Sequence, residues 1–126
     1  MQCDGYLLAD SVTGTFDVTF FPDPAGNPVR VLVRFRVTDV LTNTLTGKTV
    51  IMRGVSQEVF TRIGDSDEFS SARHGAQFIA TYPGEGVVLQ DVGRIVYSPD
   101  GQVTFVAGHH FGPDPGAVRA LCAALS

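Results

Sequence analysis

Hydrophobic and polar residues alternate along most of this chain, which is the pattern of strands buried on one side. In "VRVLVRFRV", residues 29–37, Val and Phe alternate with a second set of side chains, namely Arg30, Leu32, Arg34 and Arg36. In "VTGTFDVTFF", residues 12–21, Val and Phe alternate with Thr and Asp in the same way. We expect one face of each strand to be core and the other to be solvent-exposed or a binding surface.

The rest of the chain divides into further strands separated by turn sequences. Stretches rich in Val, Ile, Phe and Thr predict strands at roughly 48–54, 55–63, 74–82, 86–97 and 102–110. "SPDG" is a strong turn signal and makes residues 86–110 a hairpin. Short connections without crossover helices indicate antiparallel pairing. We therefore predict a single all-β domain over residues 1–126, an antiparallel barrel or sandwich of about seven to eight strands.

The C-terminal tail changes from strand to helix periodicity. Its apolar positions have the spacing of one helical stripe, namely Val118, Leu121, Cys122 and Leu125. Asp114 is suited to cap such a helix, and Pro115 suits its first turn. We predict a short helix over residues 113–126, packed on the β domain with Cys122 facing inward.

The two cysteines, Cys3 and Cys122, lie near opposite ends of the chain. They are either two unrelated buried thiols or a disulfide that joins the termini. We predict the disulfide, because domain termini often lie close together at the surface. Closing so long a loop stabilises a fold by about 5 kcal/mol in the chain-entropy description. A disulfide indicates an oxidising compartment, hence a secreted or cell-surface protein.

Composition narrows the function classes. The 126 residues carry a net charge of -4, whereas nucleic-acid-binding domains are usually basic, so we expect no nucleic-acid partner. No apolar run reaches the roughly 20 residues of a membrane helix. Met1 is followed at once by Gln2, Cys3 and Asp4, without a signal peptide. We expect either a cytosolic protein or the mature part of an exported one, and the disulfide favours the second.

The late sequence "DVGRIVYSPDGQVTF", the tail "ALCAALS" and the early Cys3 resemble a group of small secreted β-rich proteins common in actinobacteria. The matching positions are Gly93, Arg94, Asp100, Gly101 and Cys122. The resemblance implies a shared fold and export. This tail departs from the pattern, because it has "RALCAALS" where an acidic residue usually precedes the cysteine. The group has no assigned activity, so the resemblance implies no functional residue.

Arginines are the first candidates for binding. Arg30, Arg34 and Arg36 share one strand face and can bind an anionic ligand or an acidic partner. They can equally form cross-strand ion pairs, for which the candidate carboxylates are Asp17, Glu58 and Asp91. Arg94 lies in an otherwise apolar strand, so we expect it to be partly buried and paired with Glu58 or Asp91.

His109 and His110 are the second candidates. Adjacent residues on a strand point to opposite faces, so the two cannot chelate one metal side by side. A pairing with His74 leaves the site without a third ligand, so we expect no metal site and no cofactor. The acidic turn "GDSDEF" lacks the rest of a calcium loop. Nucleophile-elbow, P-loop and dinucleotide motifs are also missing from the sequence, so we assign no catalytic residue.

These observations favour a secreted, non-catalytic domain that binds a small apolar molecule or another protein. Two alternatives remain open: a small barrel cyclase or isomerase that holds an apolar substrate, and a self-assembling cell-surface protein. The location of the aromatic side chains discriminates between them. Solid packing excludes a pocket, a cavity that also contains Arg94 or Gln90 indicates a ligand site, and aromatics on an outer face indicate assembly.

Overall fold

A computed structural model describes residues 2–84, 86–110 and 115–126 of the chain. The strands and the helix are β1 Gln2–Cys3, β2 Tyr6–Pro22, β3 Pro28–Asn43, β4 Thr49–Arg62, β5 Phe69–Tyr82, β6 Gly86–Tyr97, β7 Val103–His109 and α1 Pro115–Leu125. Each strand pairs antiparallel with the next along the chain, in the order β1 to β7. The fold is therefore a meander of six long strands with a two-residue strand at its start. Within the described ranges, no helix is long and apolar enough to cross a bilayer.

The prediction of an all-β antiparallel fold with a C-terminal helix is confirmed, but the barrel or sandwich is not. The sheet is one open layer, because β7 pairs with β6 and not with β2 in the part of the chain described here. The predicted count of about seven to eight strands is also too high, because the described residues form six long strands and the two-residue β1. The stretches 48–54 and 55–63 form the single strand β4, since Gly54 lies in mid-strand and no turn interrupts it.

The predicted hairpin over residues 86–110 is confirmed. Strands β6 and β7 pair through Tyr97 and Val103 next to the turn. The Gly101 amide donates a 2.9 Å hydrogen bond to the Ser98 carbonyl oxygen, and Gly101 adopts a φ of 80°. Glycine has this left-handed conformation without steric cost, which is why the sequence "SPDG" turns the chain here.

The register gives the sheet two distinct faces, because directly opposed residues point the same way. We call the side on which α1 packs the helix face; it includes Phe16, Phe35, Leu41, Val50, Glu58, Arg73 and Ile95. We call the other side the arginine face; it includes Arg30, Arg34, Arg36, Arg53 and Arg94. The alternation in residues 29–37 thus predicted both faces of β3.

The buried core lies at one end of the helix face. It consists of Cys3, Leu8, Leu41, Val50, Ala80, Leu121 and Leu125. The predicted helix stripe is confirmed for Leu121 and Leu125, which pack against the sheet, but Val118 is exposed. The expected cap at Asp114 and the first residues of the predicted span fall outside the described residues.

The N-terminal hairpin β1–β2 and the C-terminal helix α1 are bonded to each other at this core. Cys3 and Cys122 form a disulfide, as predicted, with their Cα atoms 5.6 Å apart. The Tyr6 hydroxyl donates a hydrogen bond to the Cys122 carbonyl oxygen. The helix is thus held by a covalent bond and a polar contact from the first hairpin, in addition to its apolar packing.

The remainder of the helix face is uncovered. Phe16 is 69% exposed and Phe20 is 63% exposed, although their alternation predicts core positions. The physical reason is that α1 spans one end of the sheet, and no second layer covers the other end in the described residues. Of the remaining aromatics, Phe35, Phe60 and Phe78 share this face, while Phe105 lies on the arginine face. Within the described ranges, these aromatics neither fill a solid core nor line a cavity with Arg94 or Gln90.

Candidate functional site

The structure gathers the predicted arginines on one side of the sheet. Arg30, Arg34 and Arg36 project from β3, and Arg94 projects from β6 on the same face. Arg53 of β4 joins them, although the sequence analysis did not single it out. All five side chains are exposed. A strand advances about 3.4 Å per residue, so Arg34 and Arg36 are spaced by roughly 7 Å.

None of these five arginines has a carboxylate within 4.0 Å among the residues that the structure describes. The predicted ion pairs of these arginines with Asp17, Glu58 or Asp91 are therefore not formed. Glu58 and Asp91 lie on the helix face, where they pair with other residues. Asp17 is directly opposite Arg34 but makes no ion pair with it. Since Asp17 is the sole carboxylate among the paired strand residues of this face, the face carries an excess of positive charge.

Two of the arginines stack on aromatic rings. The Cζ atom of Arg30 lies 5.4 Å from the centre of the Phe21 ring, and that of Arg94 lies 5.8 Å from the centre of the Phe105 ring. The expectation that Arg94 is partly buried and paired with a carboxylate is wrong. Its strand has an exposed arginine face, and a ring rather than an acid supports the guanidinium.

A polar row crosses the middle of the arginine face. Arg34, Gln57, His74 and Arg94 are directly opposed on successive strands from β3 to β6. The side-chain amide of Gln57 hydrogen-bonds the Nε2 atom of His74, which engages this histidine within the row. Two shallow depressions, of about 480 and 780 Å³, lie to either side and share His74 in their linings. The face is thus a broad surface rather than a closed pocket.

The two adjacent histidines point to opposite faces, as expected. His109 is opposite Val92 on the arginine face and is exposed. His110 turns to the helix face, where its Nδ1 atom lies 2.6 Å from a carboxylate oxygen of Asp91 and its Nε2 atom lies 3.0 Å from the Ala107 carbonyl oxygen. Both ring nitrogens face acceptors. Burial lowers the pKa of His110, but these contacts outweigh burial and hold the pKa above its usual value.

The helix face contains a cleft that the sequence analysis missed. Its volume is about 300 Å³. Its apolar walls come from Val12, Phe35, Val37 and Phe78, and its polar lining from Asp39, Ser56, Arg73 and Gln77. Ligand sites are typically concave and mostly apolar with a few placed polar groups, which is the character of this cleft.

A bulge in β5 shapes the cleft. Val55 is opposite Ala76 and Arg53 is opposite Ile79, so β5 has one residue more than β4 between these pairs. Gly54 faces the extra residue, and a Cβ atom here would lie 2.2 Å from the Gln77 carbonyl oxygen. The missing side chain lets the bulge approach β4 and places Gln77 in the lining of the cleft.

Ionisable side chains line this apolar region. Glu58 is buried and accepts hydrogen bonds from Arg73 at 2.8 and 3.2 Å. Asp39 is 8% exposed, and its Oδ1 atom has no hydrogen-bond partner within the described part of the chain. Burial, a side-chain hydrogen bond with Asp10 and the negative charge of Asp10 together raise the pKa of Asp39 to about 6.

A sequence signal for Asp39 did exist. The alternation of residues 29–37 continues in phase through Asp39, Leu41 and Asn43, so Asp39 occupies an inward position of β3. A carboxylate at such a position predicts either a partner or a raised pKa. The pairing of Glu58 with Arg73 had no comparable signal, because it depends on the β4–β5 register.

The described residues contain no group of three or more His, Cys, Asp or Glu side chains placed to hold a metal ion. The structure therefore offers two candidate sites: the arginine face and the helix-face cleft. Comparison of the chain with protein-family models, with curated proteins and with solved structures gave no match.

Proposed function

We propose that this chain is an exported, non-catalytic binding domain whose arginine face binds an acidic segment of a partner protein. The observation that carries the proposal is the segregation of charge. Five exposed arginines share one face without an ion-pair partner in the described residues, on a chain whose net charge is -4. The disulfide between Cys3 and Cys122 supports export, because such bonds persist in oxidising compartments.

Arginine and aromatic residues together favour a protein partner over a polyanionic polysaccharide. Both residue types are enriched at the centres of protein interfaces. Phe21 and Phe105 hold the guanidinium groups of Arg30 and Arg94, which reduces the entropy lost on binding. The guanidinium fork matches a carboxylate with two hydrogen bonds, which a lysine ammonium does not.

The spacing of the arginines suits an extended acidic segment. Arg34 and Arg36 are two residues apart on β3, and alternate side chains of an extended peptide repeat at the same distance of roughly 7 Å. Leu32, between Arg30 and Arg34 on β3, and the opposite residue Val59 on β4 give such a segment a non-polar floor.

The test is binding of a fluorescent peptide with alternating Glu and Val, measured by anisotropy at low and high salt. We expect binding that weakens as salt rises and that falls at least tenfold in an Arg34→Gln/Arg36→Gln variant. Arg119→Gln, an exposed arginine on α1, is the matched control and should bind like the original chain. Equal affinity in the double variant, or tighter binding of dextran sulfate than of the peptide, would contradict the proposal.

One observation favours a second candidate, self-assembly. Phe16 and Phe20 are exposed on the helix face of β2, which forms an edge of the described sheet beyond its pairing with β1 at Tyr6 and Leu7. Soluble monomers rarely expose contiguous apolar patches larger than a few hundred Å². Sedimentation of the original chain and of a Phe16→Ser/Phe20→Ser variant tests this candidate. A dimer that the substitutions dissociate would support it, and a monomer over the whole concentration range would exclude it.

A further inference from the structure

The helix face contains two ion pairs that neutralise themselves. The Glu58 carboxylate is paired with Arg73 at 2.8 Å, and the Asp91 carboxylate is paired with His110 at 2.6 Å. Arg73 lines the cleft, and Asp91 is directly opposite Phe78, another residue of the lining. Neither pair leaves a positive charge for Asp39. Because the charges cancel within each pair, the remaining charge beside the cleft is negative.

This negative charge belongs to the neighbouring carboxyl groups of Asp10 and Asp39. Asp39 is opposite Val12 on the neighbouring strand, and Asp10 is two residues before Val12 on that strand. No cationic side chain lies within 4.0 Å of either carboxyl group in the part of the chain that the structure describes. Asp39 is more than nine-tenths buried, and its Oδ1 atom accepts no hydrogen bond from a described residue. A buried acceptor without a donor is costly, which indicates a place for a ligand's donor.

The walls of the cleft set the size of the ligand. Val12 and Phe78, which are both exposed, stand on either side of Phe35 and Val37 in the lining. The volume of about 300 Å³ is at the lower end of the range for small-molecule sites. A single ring or a short branched alkyl group fills a cleft of this size.

We propose that the cleft binds a small hydrophobic amine, with its ring or alkyl group between Val12 and Phe78 and its ammonium group donating hydrogen bonds to Asp39. The site is independent of the arginine face, because it lies on the opposite side of the sheet. Charge decides between ligand classes. An anionic head group is repelled by two carboxyl groups, and a hydroxyl group gives a hydrogen bond roughly half as strong as an ammonium does.

Binding of an ammonium ion competes with a proton. Burial and the neighbouring Asp10 raise the pKa of Asp39 to about 6, so the carboxyl group is mostly protonated at pH 5 and mostly ionised at pH 7. We therefore expect amine affinity to rise about tenfold from pH 5 to pH 7. The other charged groups that face this region from the neighbouring strands are Glu58, Arg73, Asp91 and His110.

The experiment is calorimetric titration of the intact, disulfide-bonded chain with three probes of similar shape: 2-phenylethylamine, 2-phenylethanol and 3-phenylpropionate. At pH 7 we expect the amine to bind about tenfold more tightly than the alcohol, and the acid to bind most weakly. Equal affinity for amine and alcohol, tighter binding of the acid, or no binding of the amine at millimolar concentration would overturn the proposal.

Two variants separate the charge from the apolar walls. Asp39→Asn should remove the preference for the amine and leave alcohol affinity unchanged, whereas Phe78→Ala should weaken both probes. Arg34→Gln, on the other face, should change neither and so distinguishes this site from the proposed partner surface. If Asp39→Asn does not fold, the pH series on the original chain decides. The amine stays protonated from pH 5 to pH 7, so an affinity that does not change over this range overturns the proposal.

Discussion

The side-chain amide of Asn43 donates a 2.8 Å hydrogen bond to the carbonyl oxygen of Leu125, and both residues are fully buried. The Oδ1 atom of the same Asn43 accepts hydrogen bonds from the Leu45 and Thr46 amides in the β3–β4 turn. The Asn43 side chain therefore provides hydrogen-bond partners both for amides of the β3–β4 turn and for a carbonyl group at the end of α1. The last carbonyl groups of a helix have no hydrogen-bond donor within the helix. Asn43 supplies the donor for the Leu125 carbonyl oxygen.

Replacing Asn43 by alanine should lower the free energy of unfolding by about 2–3 kcal/mol, because it leaves buried polar groups of the turn and of Leu125 unpaired. Urea unfolding followed by circular dichroism measures this loss. The matched control is Asn27→Ala, an exposed turn residue with no side-chain hydrogen bond in the described structure, for which we expect less than about 0.5 kcal/mol. Equal losses in the two variants would show that Asn43 does not join the turn to the helix.

A Cys3→Ser/Cys122→Ser variant should unfold at a lower urea concentration, with a loss of about 2–5 kcal/mol. The bond joins residues 119 apart in sequence, so its removal frees a long loop in the unfolded chain. Alkylation should label no thiol in the untreated original chain and two after reduction. Two labelled thiols without reduction would contradict the disulfide.

Stability should fall as the pH rises from about 4 to about 6, because the folded state holds a proton on Asp39 that the unfolded state releases near 3.8. The size of this loss is on the order of 2 kcal/mol. Asp39→Asn should flatten this part of the profile, whereas Asp17→Asn on the exposed arginine face should not. The raised pKa of His110 has the same sign but acts at higher pH, above about 6.5. A stability that rises from pH 4 to pH 6 would exclude the assignment to Asp39.

Gly54→Ala should destabilise the sheet by more than about 2 kcal/mol, because its Cβ atom would lie 2.2 Å from a backbone oxygen of Gln77. The same displacement should weaken binding of any ligand in the helix-face cleft. Thr61→Ala, an exposed position on the arginine face of β4, serves as the control and should cost less than about 1 kcal/mol. Unfolding and amine binding measured on both variants test the role of the bulge, and an unchanged Gly54→Ala variant would argue against it.

Strand alternation predicted the sides of β3 correctly, because period two is a local property of the chain. It placed Arg30, Arg34 and Arg36 on one face and Val and Phe on the other, as the structure has them. The helical spacing of the tail, which places Cys122 inward, and the positions of the two cysteines likewise predicted the disulfide. Alternation could not predict that the described residues form a single layer. It shows which residues share a face of the sheet but not whether another element covers that face.

The cleft could not be predicted for a related reason. Asp39 is in phase with the apolar face of β3, and this carboxylate at an inward position is readable in the sequence. Its neighbours are not, because they come from β2, β4 and β5 and depend on a bulge opposite Gly54. A one-residue insertion changes which side chains share a face beyond it, so the residues that join Asp39 in this site could not be read from the sequence.

The position of the core has a consequence for biosynthesis. Cys3 and Leu8 come from the start of the described chain, and Leu121 and Leu125 come from its last turns. A ribosome releases the paired strands before it releases α1, so the nascent sheet exposes the whole of its apolar side until α1 emerges. The hairpins can form in chain order, but the contacts that make them a stable protein become available only after α1 has been released. Late truncations should therefore yield aggregation rather than a smaller folded domain.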